Sequence, residues 1–419
     1  MSAADRQGEP AAAQLAHGKT PSSAVPKDVL LIAYAYPPDN FSGAARPHRF
    51  AKYLERLGHN VQVVAAQHEK GVSHVGNVHR AEGDFDQNIR SLPWYFEKVV
   101  RNLFCPHDEG WRWALRAARA GEELFAGKRP VIVSTAPPMT VHLAAARVKA
   151  KHGWPWIADF RDPLAGNAYR TNAIAKRMDP YLEKLIFRRA DRLIANTDAV
   201  ADIWRRRYPH YAHKVHLIWN GFDPEVSLDA LPPPAGPRLI RHVGSVYGDR
   251  YPQPLLAAFQ SMFDRGLLRA DDLSIELVGQ LGAPAGVTIP QAPWLRLTPQ
   301  VSRAEADGLT ASAHYLLLLD VTQASQSLQV PAKLFDYIRV GRPVLTVTLP
   351  GSPAERILKQ AGIPSVFLYP TDSQETLVAK ITEFTALPPV STPYSLWFSD
   401  SFDGARQAAA LSALIQGLG

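Results

Sequence analysis

The chain has 419 residues, of which 46% are apolar and 20% are charged, and these proportions are typical of folded globular domains. A single hydrophobic core seldom serves a chain of this length, so we expect two domains. The formal net charge of +7 favours anionic partners, which include nucleotide diphosphates, acidic lipid headgroups and nucleic acid. Ordinary solubility charge accounts for the same value equally well.

Several classes of protein are excluded by simple features. The lone cysteine, Cys105, excludes an internal disulfide bond, and no secretory signal pattern precedes the first apolar run. No stretch of about 18 apolar residues predicts a membrane span. Zinc-finger spacings and ribonucleoprotein signatures are missing, so we expect no nucleic acid partner. The sequence predicts a cytoplasmic protein that attaches at most peripherally to the inner face of the cell membrane.

The first half of the chain alternates strands with helices. Residues 1–26 have no apolar period and are predicted to form a disordered tail, and residues 27–222 are predicted to form an N-terminal, acceptor-side Rossmann-like domain. The predicted strands cover residues 29–35, 60–66, 131–135, 156–160, 192–196 and 215–219. The predicted helices cover residues 43–57, 139–151 and 181–189. Such alternation predicts an α/β fold with a mainly parallel sheet that is covered on both faces.

The alternation restarts after a proline-rich connection near residues 223–237. We predict a second Rossmann-like domain over residues 223–395, and a final helical segment over residues 396–419 that packs back on the first domain. The predicted strands of this half cover residues 239–243, 274–278, 315–319, 344–347 and 366–369. The predicted helices cover residues 254–263, 333–340, 353–360 and 406–418. The two mainly parallel sheets are expected to face each other across a cleft.

Two turns lie where a first strand feeds a helix, and ligands of open α/β sheets bind at such places. In the first turn, Gly43 allows close approach of the backbone, and Arg46 follows within one helical turn. In the second turn, Gly244 and Gly248 with Arg250 are suited to hold a diphosphate through backbone N–H groups and a guanidinium. Plain loops with surface arginines are the alternative at both places.

Residues 331–344 predict a short helix that begins after Pro331 and ends at Gly341. Lys333 and Asp336 are three residues apart and therefore share one face of this helix. The carboxylate is suited to accept hydrogen bonds from ribose hydroxyls, and the lysine is suited to neutralise phosphate. A surface ion pair is the alternative, and it would contribute only a few tenths of a kcal/mol.

The segment 331–337, followed by Gly341-Arg342-Pro343, resembles the donor-site helix of glycosyltransferase family 4. Residues 36–54, 159–163 and 220–223 agree with that family in order and spacing. The resemblance covers most of residues 27–390. It implies the GT-B fold, in which the acceptor binds to the N-terminal domain and the sugar nucleotide to the C-terminal domain.

This resemblance also implies a reaction and a set of contacts. The reaction is transfer of a sugar from a nucleotide diphosphate, expected to be UDP or GDP, to a glycan or lipid-linked acceptor, with retention and without a metal or other cofactor. The implied donor-site residues are Gly43 beside the sugar phosphate, Lys333 and Arg250 at the diphosphate, Asp336 at the ribose, and Gly244 and Leu334 within the matching motifs.

The chain departs from the family pattern at two positions. Family members often carry an acidic residue eight positions before Asp336, where this chain has Leu328, and the first loop has Ser42 beside Gly43. Two other functions therefore stay open. One is a catalytically silent partner in a glycan-assembly complex, and the other is a nucleotide-sugar epimerase or hydrolase on the same fold.

Residues 159–162 follow a predicted strand, so their charged side chains are expected to emerge at the cleft. Asp162 is the candidate catalytic residue, because a carboxylate there could orient an acceptor hydroxyl or accept its proton. Arg161 and Arg46 are the acceptor-side candidates. An ion pair between Arg161 and Asp162 that only clamps the structure is the alternative.

Aromatic and basic residues interleave between residues 89 and 119. Such a surface is suited to rest on an anionic membrane and to admit a lipid-linked acceptor. A conventional arrangement, with aromatic rings in the core and solvated arginines, is the alternative.

Overall fold

The computed structural model describes residues 25–39, 42–67, 74–82, 111–167, 173–246, 250–283, 287, 289–320, 322 and 328–418. Three features named above lie wholly or largely outside these ranges: the tail, Gly248 and the segment 89–119. Within the part of the chain that is described, no helix is both long enough and apolar enough to cross a bilayer.

The first sheet is built from eight strands, which are mainly parallel. The strands are β1 Asp28–Ala33, β2 Asn60–Gln67, β3 His74–Val75, β4 Val78–Glu82, β5 Val131–Ala136, β6 Trp156–Phe160, β7 Arg192–Ala195 and β8 Val215–Leu217. Their order across the sheet is β3-β4-β2-β1-β5-β6-β7-β8, and only β3 runs antiparallel to its neighbour. The register places Val29 beside Val61 of β2 and Val131 of β5, which makes β1 a central strand.

Helices cover both faces of this sheet. They are α1 Ala45–Arg56, α2 Trp111–Leu124, α3 Thr140–His152, α4 Ala173–Arg189 and α5 Asp198–Arg207. Successive residues of β1 enter different cores: Leu30 and Ile32 pack with α2 and α3, whereas Val29 and Leu31 pack with α1. Side chains of a strand alternate between the two faces, so a continuous apolar run is the mark of a strand that is buried on both.

The second sheet has six parallel strands. The strands are β9 Arg238–Val243, β10 Leu273–Val278, β11 Leu295–Thr298, β12 Tyr315–Leu319, β13 Val344–Val347 and β14 Ser365–Leu368. Their order is β11-β10-β9-β12-β13-β14. The helices of this half are α6 Gln253–Asp264, α7 Arg303–Ala311, α8 Lys333–Val340, α9 Pro353–Ala361 and α10 Gln374–Ala386. Two mainly parallel sheets with helices on both faces confirm the predicted α/β architecture.

The last two helices pack in different cores: α11 Leu396–Phe402 packs in the second half, and α12 Gly404–Gln416 returns to the first sheet. Leu411 and Ile415 of α12 are fully buried in the core that α1 shares with the first sheet. Between these two helices the chain passes the segment that links the two sheets, and there the N–H of Phe222 donates to the carbonyl of Phe402 at 3.0 Å. A Cβ atom on Gly221 would collide with that same carbonyl, so the close crossing requires glycine.

Candidate active site between the two sheets

A cleft of about 540 Å³ lies between the two halves of the molecule, and this volume is in the range of small-molecule sites. Pro37, Ala45 and Arg49 line it from the first half. Residues 218–223, which follow β8 and which we call the crossover segment, contribute residues 220–223 to the lining. The second half contributes residues at the carboxyl ends of β9 and β10, together with residues of α7 and α8. Gly244, Gly279, Arg303 and Asp336 are among these lining residues.

Two glycines and one lysine meet at the carboxyl end of β9. Gly244 has φ +122° and Gly279 has φ +127°, values that L side chains rarely adopt. A Cβ atom on Gly244 would lie 2.6 Å from Nζ of Lys333, and one on Gly279 would lie 2.8 Å from the carbonyl carbon of Gly244. The missing side chains therefore let Lys333 and two backbone turns approach each other at the cleft wall.

His242 fixes the position of the Lys333 ammonium group. Nζ of Lys333 lies 2.9 Å from Nε2 of His242, and Nδ1 of His242 lies 2.8 Å from the carbonyl oxygen of Leu317. A carbonyl only accepts, so Nδ1 carries the proton and Nε2 accepts from the lysine. Burial lowers the pKa of His242 well below its usual value, which keeps the ring neutral and able to accept.

The Lys333 ammonium is poised for an anion. Burial, with a smaller contribution from the positive charge of Arg250, lowers the pKa of Lys333 to about 7. Its direct partner is a neutral ring nitrogen rather than a carboxylate. An anion that enters the cleft beside Gly244 would therefore relieve an unfavourable charge, and this is the electrostatic situation typical of ligand sites.

Asp336 lies on α8 and lines the same cleft. Its Oδ2 accepts a hydrogen bond from Nη2 of Arg303 at 3.0 Å, and the same guanidinium pairs with Asp307 through Nε. Burial raises the pKa of Asp336, and Arg303 opposes this shift. Asp336 thus keeps one oxygen, Oδ1, that the ion pair with Arg303 does not use.

Leu334 occupies a different place from the rest of the motif. Its side chain is fully buried in the core between the second sheet and α9, and its N–H donates to the carbonyl of Pro331. Leu334 does not line the cleft. The reason is helical geometry: Asp336 lines the cleft and Lys333 directs its ammonium at Gly244 in the cleft wall, whereas the residue after Lys333 points about 100° away.

The Gly43 turn is packed against Arg161. Gly43 lies in a short 3₁₀ helix, Ser42–Ala44, and its carbonyl accepts a hydrogen bond from Nη1 of Arg161 at 2.6 Å. Arg161 also donates to the carbonyls of Ala136 and Pro137. A Cβ atom on Gly43 would collide with the guanidinium. The structure thus places Arg161 as a clamp between three backbone segments.

Asp162 connects the two halves of the molecule. Its Oδ1 accepts a hydrogen bond from Nε2 of Gln329 at 2.6 Å. Burial raises the pKa of Asp162, while the charges of Arg161 and Arg250 and the bond from Gln329 oppose the shift. The positive charge of Arg250 acts to lower the pKa of both Asp162 and Lys333, so Arg250 lies within electrostatic range of both residues.

Arg46 is placed in the interior of the first half. Its guanidinium forms two bonds with the carboxylate of Asp159, at 2.9 and 2.7 Å, and it also donates to the carbonyls of Ile218 and Trp219. Arg46 is 2% exposed and Asp159 is completely buried. Arg46 therefore ties α1 to β6 and to the crossover segment, and its guanidinium is already occupied.

The prediction from sequence missed the contacts of α1 with the crossover segment. Arg49 lines the cleft, and its Nη2 donates to Oδ1 of Asn220 at 2.7 Å. Lys52 and Tyr53 donate to the carboxylate of Asp223 at 2.7 and 2.6 Å. Burial would raise the pKa of Asp223, but these two donors outweigh it and lower that pKa. The sequence signal for these contacts was the spacing of Arg49, Lys52 and Tyr53, which are about one helical turn apart and therefore lie on one side of α1.

Groups of three or more His, Cys, Asp or Glu side chains that could hold a metal ion do not occur among the described residues.

Comparison with known proteins links this geometry to a family. Residues 45–226 match the model of Glycosyltransferase Family 4. This range includes α1, the Asp159–Asp162 region and the crossover segment. A search of curated protein sequences gives no match.

Solved structures of low sequence identity share the fold of the whole chain. HepE of Anabaena, in complex with UDP and glucose, has 13% identity and a TM-score of 0.62, with 94% of this chain and 100% of that chain covered. The catalytic domain of starch synthase IV from Arabidopsis thaliana, bound to ADP and acarbose, has 12% identity and a TM-score of 0.54, with 94% and 100% covered. The lipopolysaccharide outer core galactosyltransferase WaaB, in its apo form, has 10% identity and a TM-score of 0.56, with 93% and 99% covered.

The paired parallel sheets, the cleft between them and the family match agree with one another. The chain has the GT-B fold of these structures, and its residues 45–226 match the model of Glycosyltransferase Family 4.

Proposed function

We propose that the protein transfers a sugar from a nucleotide diphosphate to a glycan or lipid-linked acceptor in polysaccharide or glycolipid biosynthesis. The observation that carries this proposal is the Lys333 ammonium, held by His242 against Gly244 at the cleft wall with no carboxylate of the described residues bonded to it. A diphosphate would supply the missing negative charge. Two structural relatives hold nucleotides, UDP in HepE and ADP in starch synthase IV, and this supports a nucleotide as the ligand.

In this proposal the second half of the molecule binds the donor. Lys333 and Arg250 neutralise the diphosphate, and the turn at Gly244 brings backbone N–H groups close to it. Asp336 accepts hydrogen bonds from the ribose hydroxyls. The place of Gly43 beside the sugar phosphate comes from the family resemblance, and in the structure its missing side chain makes room for Arg161. UDP or GDP is the proposed nucleotide, and the proposal of a metal-free, retaining reaction comes from the family resemblance.

The first half of the molecule is proposed to receive the acceptor. Asp162, whose pKa burial raises, is suited to orient the acceptor hydroxyl and to accept its proton. The acceptor oxygen then forms a bond to the anomeric carbon, and the bond to the nucleoside diphosphate breaks. Arg161 holds the turn at Gly43 in place for this step. The proposed location is cytoplasmic, at the inner face of the membrane.

A transfer assay tests this function. The protein is incubated with radiolabelled UDP and GDP sugars and a membrane lipid extract, and label is measured in donor, free sugar and lipid. We expect label to move into the lipid phase, and Asp162→Asn should reduce transfer by about 100- to 10,000-fold while donor binding persists. Free sugar without labelled lipid would instead identify a hydrolase.

A catalytically silent donor-binding protein is the second candidate, and Leu328 favours it. The side chain of Leu328 packs against the core of the first half, and its carbonyl accepts a hydrogen bond from Oγ1 of Thr197 at 2.8 Å. The position that carries an acidic residue in many relatives is thus used here for contact between the two halves. Donor binding without any turnover would favour this candidate.

A further inference from the structure

The outer face of α4 carries a stripe of basic and apolar side chains. Ile174, Arg177, Tyr181, Lys184 and Arg188 are three or four residues apart and therefore lie along one side of the helix. All five are exposed, with Tyr181 at 76% and Ile174 at 47%. Lys176 and Arg189 are exposed beside them. We call these seven residues the α4 basic face.

The acidic side chains of α4 are buried, and its basic side chains are exposed. Its two acidic residues, Asp179 and Glu183, are 3% and 0% exposed, so neither offers a charge to solvent. Its five exposed cations form no ion pair with any residue that the structure describes. The outer face therefore carries five positive charges and no negative one over a helix of 17 residues, or roughly 25 Å.

The inner face of α4 is hydrogen-bonded to the loop that follows β6. The carboxylate of Glu183 accepts hydrogen bonds from the N–H groups of Leu164 and Ala165 at 3.1 and 3.0 Å. Arg207 of α5 pairs with the same carboxylate at 3.3 Å. This loop follows β6 and contains Asp162, so the helix that carries the α4 basic face is hydrogen-bonded to the loop of the proposed catalytic residue.

We propose that the α4 basic face docks on an anionic lipid bilayer. Lysine and arginine attract acidic headgroups, while Tyr181 and Ile174 can enter the boundary between headgroups and acyl chains. The two exposed apolar side chains within the stripe favour a bilayer over a nucleic acid, whose phosphates need only the charges. The proposal deepens the proposed function and rests on its lipid-linked acceptor, because the docked helix would hold the loop of Asp162 next to the membrane.

Vesicle flotation with the full chain tests this proposal. Vesicles of phosphatidylcholine alone and with 25% phosphatidylglycerol are compared at low and at high salt, where Debye screening removes surface attraction. We expect binding only to the anionic vesicles, with loss at high salt. The triple variant Arg177→Gln, Lys184→Gln and Arg188→Gln should bind on the order of a hundredfold more weakly, and Tyr181→Ser should weaken binding severalfold.

A matched control removes the same charge elsewhere. Arg129, Arg265 and Arg296 are exposed and lie outside α4, so their triple glutamine variant should bind vesicles as the wild type does. Equal loss in both triple variants would show an effect of net charge alone and would overturn the proposal. Unchanged binding of Tyr181→Ser, together with displacement by a DNA oligonucleotide, would instead identify a general polyanion surface.

Nucleotide binding is measured on the same samples by thermal shift. The α4 triple variant should keep the response of the wild type to nucleotide sugars, because none of its residues lines the cleft. Vesicle binding without any nucleotide response would refute the proposed transferase and leave the docking surface standing. A nucleotide response without vesicle binding would refute the surface alone.

Discussion

Charged side chains serve different purposes on the two sides of the cleft. In the first half, Arg46 is bonded to the buried carboxylate of Asp159 and to two carbonyls, and Arg161 is bonded to three carbonyls. In the second half, Lys333 contacts a neutral histidine nitrogen, and its pKa is lowered to about 7. The charges of Arg46 and Arg161 thus hold loops of the first half together, whereas the Lys333 charge of the second half is available to a ligand.

The largest effect is expected from Arg46→Met. This change leaves Asp159 buried without its partner, and breaking a buried pair in this way costs about 3–5 kcal/mol in the free energy of unfolding. Chemical denaturation measures the loss. Arg205→Met is the control, because Arg205 pairs with Asp202 at the surface and should cost no more than about 1 kcal/mol. If the two variants were equally stable, Arg46 would not have the structural role described.

Lys333→Gln is expected to weaken ligand binding and to leave the stability of the fold unchanged. Loss of a charged hydrogen bond to the diphosphate should cost about 1.5–3 kcal/mol, which weakens binding of the preferred nucleotide sugar roughly 10- to 150-fold. Stability should not fall, since a buried charge is removed. Titration calorimetry measures the affinity, with Lys128→Gln as the control away from the cleft. An unchanged dissociation constant would remove Lys333 from the donor site.

The affinity for the donor should depend on pH through Lys333. The free protein has its Lys333 pKa at about 7, so the ammonium is present below pH 7 and is lost above it. Binding of an anion requires the charged form, and affinity should therefore fall by up to about tenfold per pH unit above 7. A nucleotide sugar is the right probe, because the terminal phosphate of a free nucleotide titrates at about pH 6.

The same titration series on Lys333→Gln should lose this slope. A slope that persisted in the variant would assign the pH dependence to another group.

The smallest effect is expected from an exposed contact between the two halves. Arg356 of α9 pairs with Asp198 at the start of α5 at 2.8 Å, and both side chains are well exposed. Arg356→Gln should change the free energy of unfolding by less than about 1 kcal/mol, and less still at high salt. A loss comparable to that of Arg46→Met would show that this exposed pair between the halves contributes as much stability as the buried network of the first half.

The strands of both sheets could be predicted well from sequence because most of them are buried on both faces. The strands at Trp156–Phe160, Tyr315–Leu319 and Val344–Val347 agree in both bounds with the predicted ranges. β3, β4 and β11 lie at or next to a sheet edge and were not predicted, because they are short or partly exposed and lack an apolar run. Helix α4 was predicted only from residue 181, since Pro180 normally ends a helix, whereas this helix continues through it.

The site could be predicted only in part. The cleft positions of Gly244 and Asp336, and the place of Lys333 against Gly244, follow from strand ends and helix spacing, which the sequence displays. The internal role of Arg46 depends on Asp159, a residue 113 positions away, and no local pattern reveals that pairing. His242 looked like an ordinary strand residue for the same reason, because its bond to Lys333 spans 91 positions.

The claim that the cleft binds a sugar nucleotide through its second half is tested most directly by a thermal-shift screen. The purified chain is screened with UDP, GDP, ADP and dTDP and their common sugar conjugates, in parallel with Lys333→Ala and Asp336→Ala. We predict a rise of several degrees with one nucleotide family, which both variants lose. No shift with any nucleotide, or a shift that both variants retain, would contradict the account.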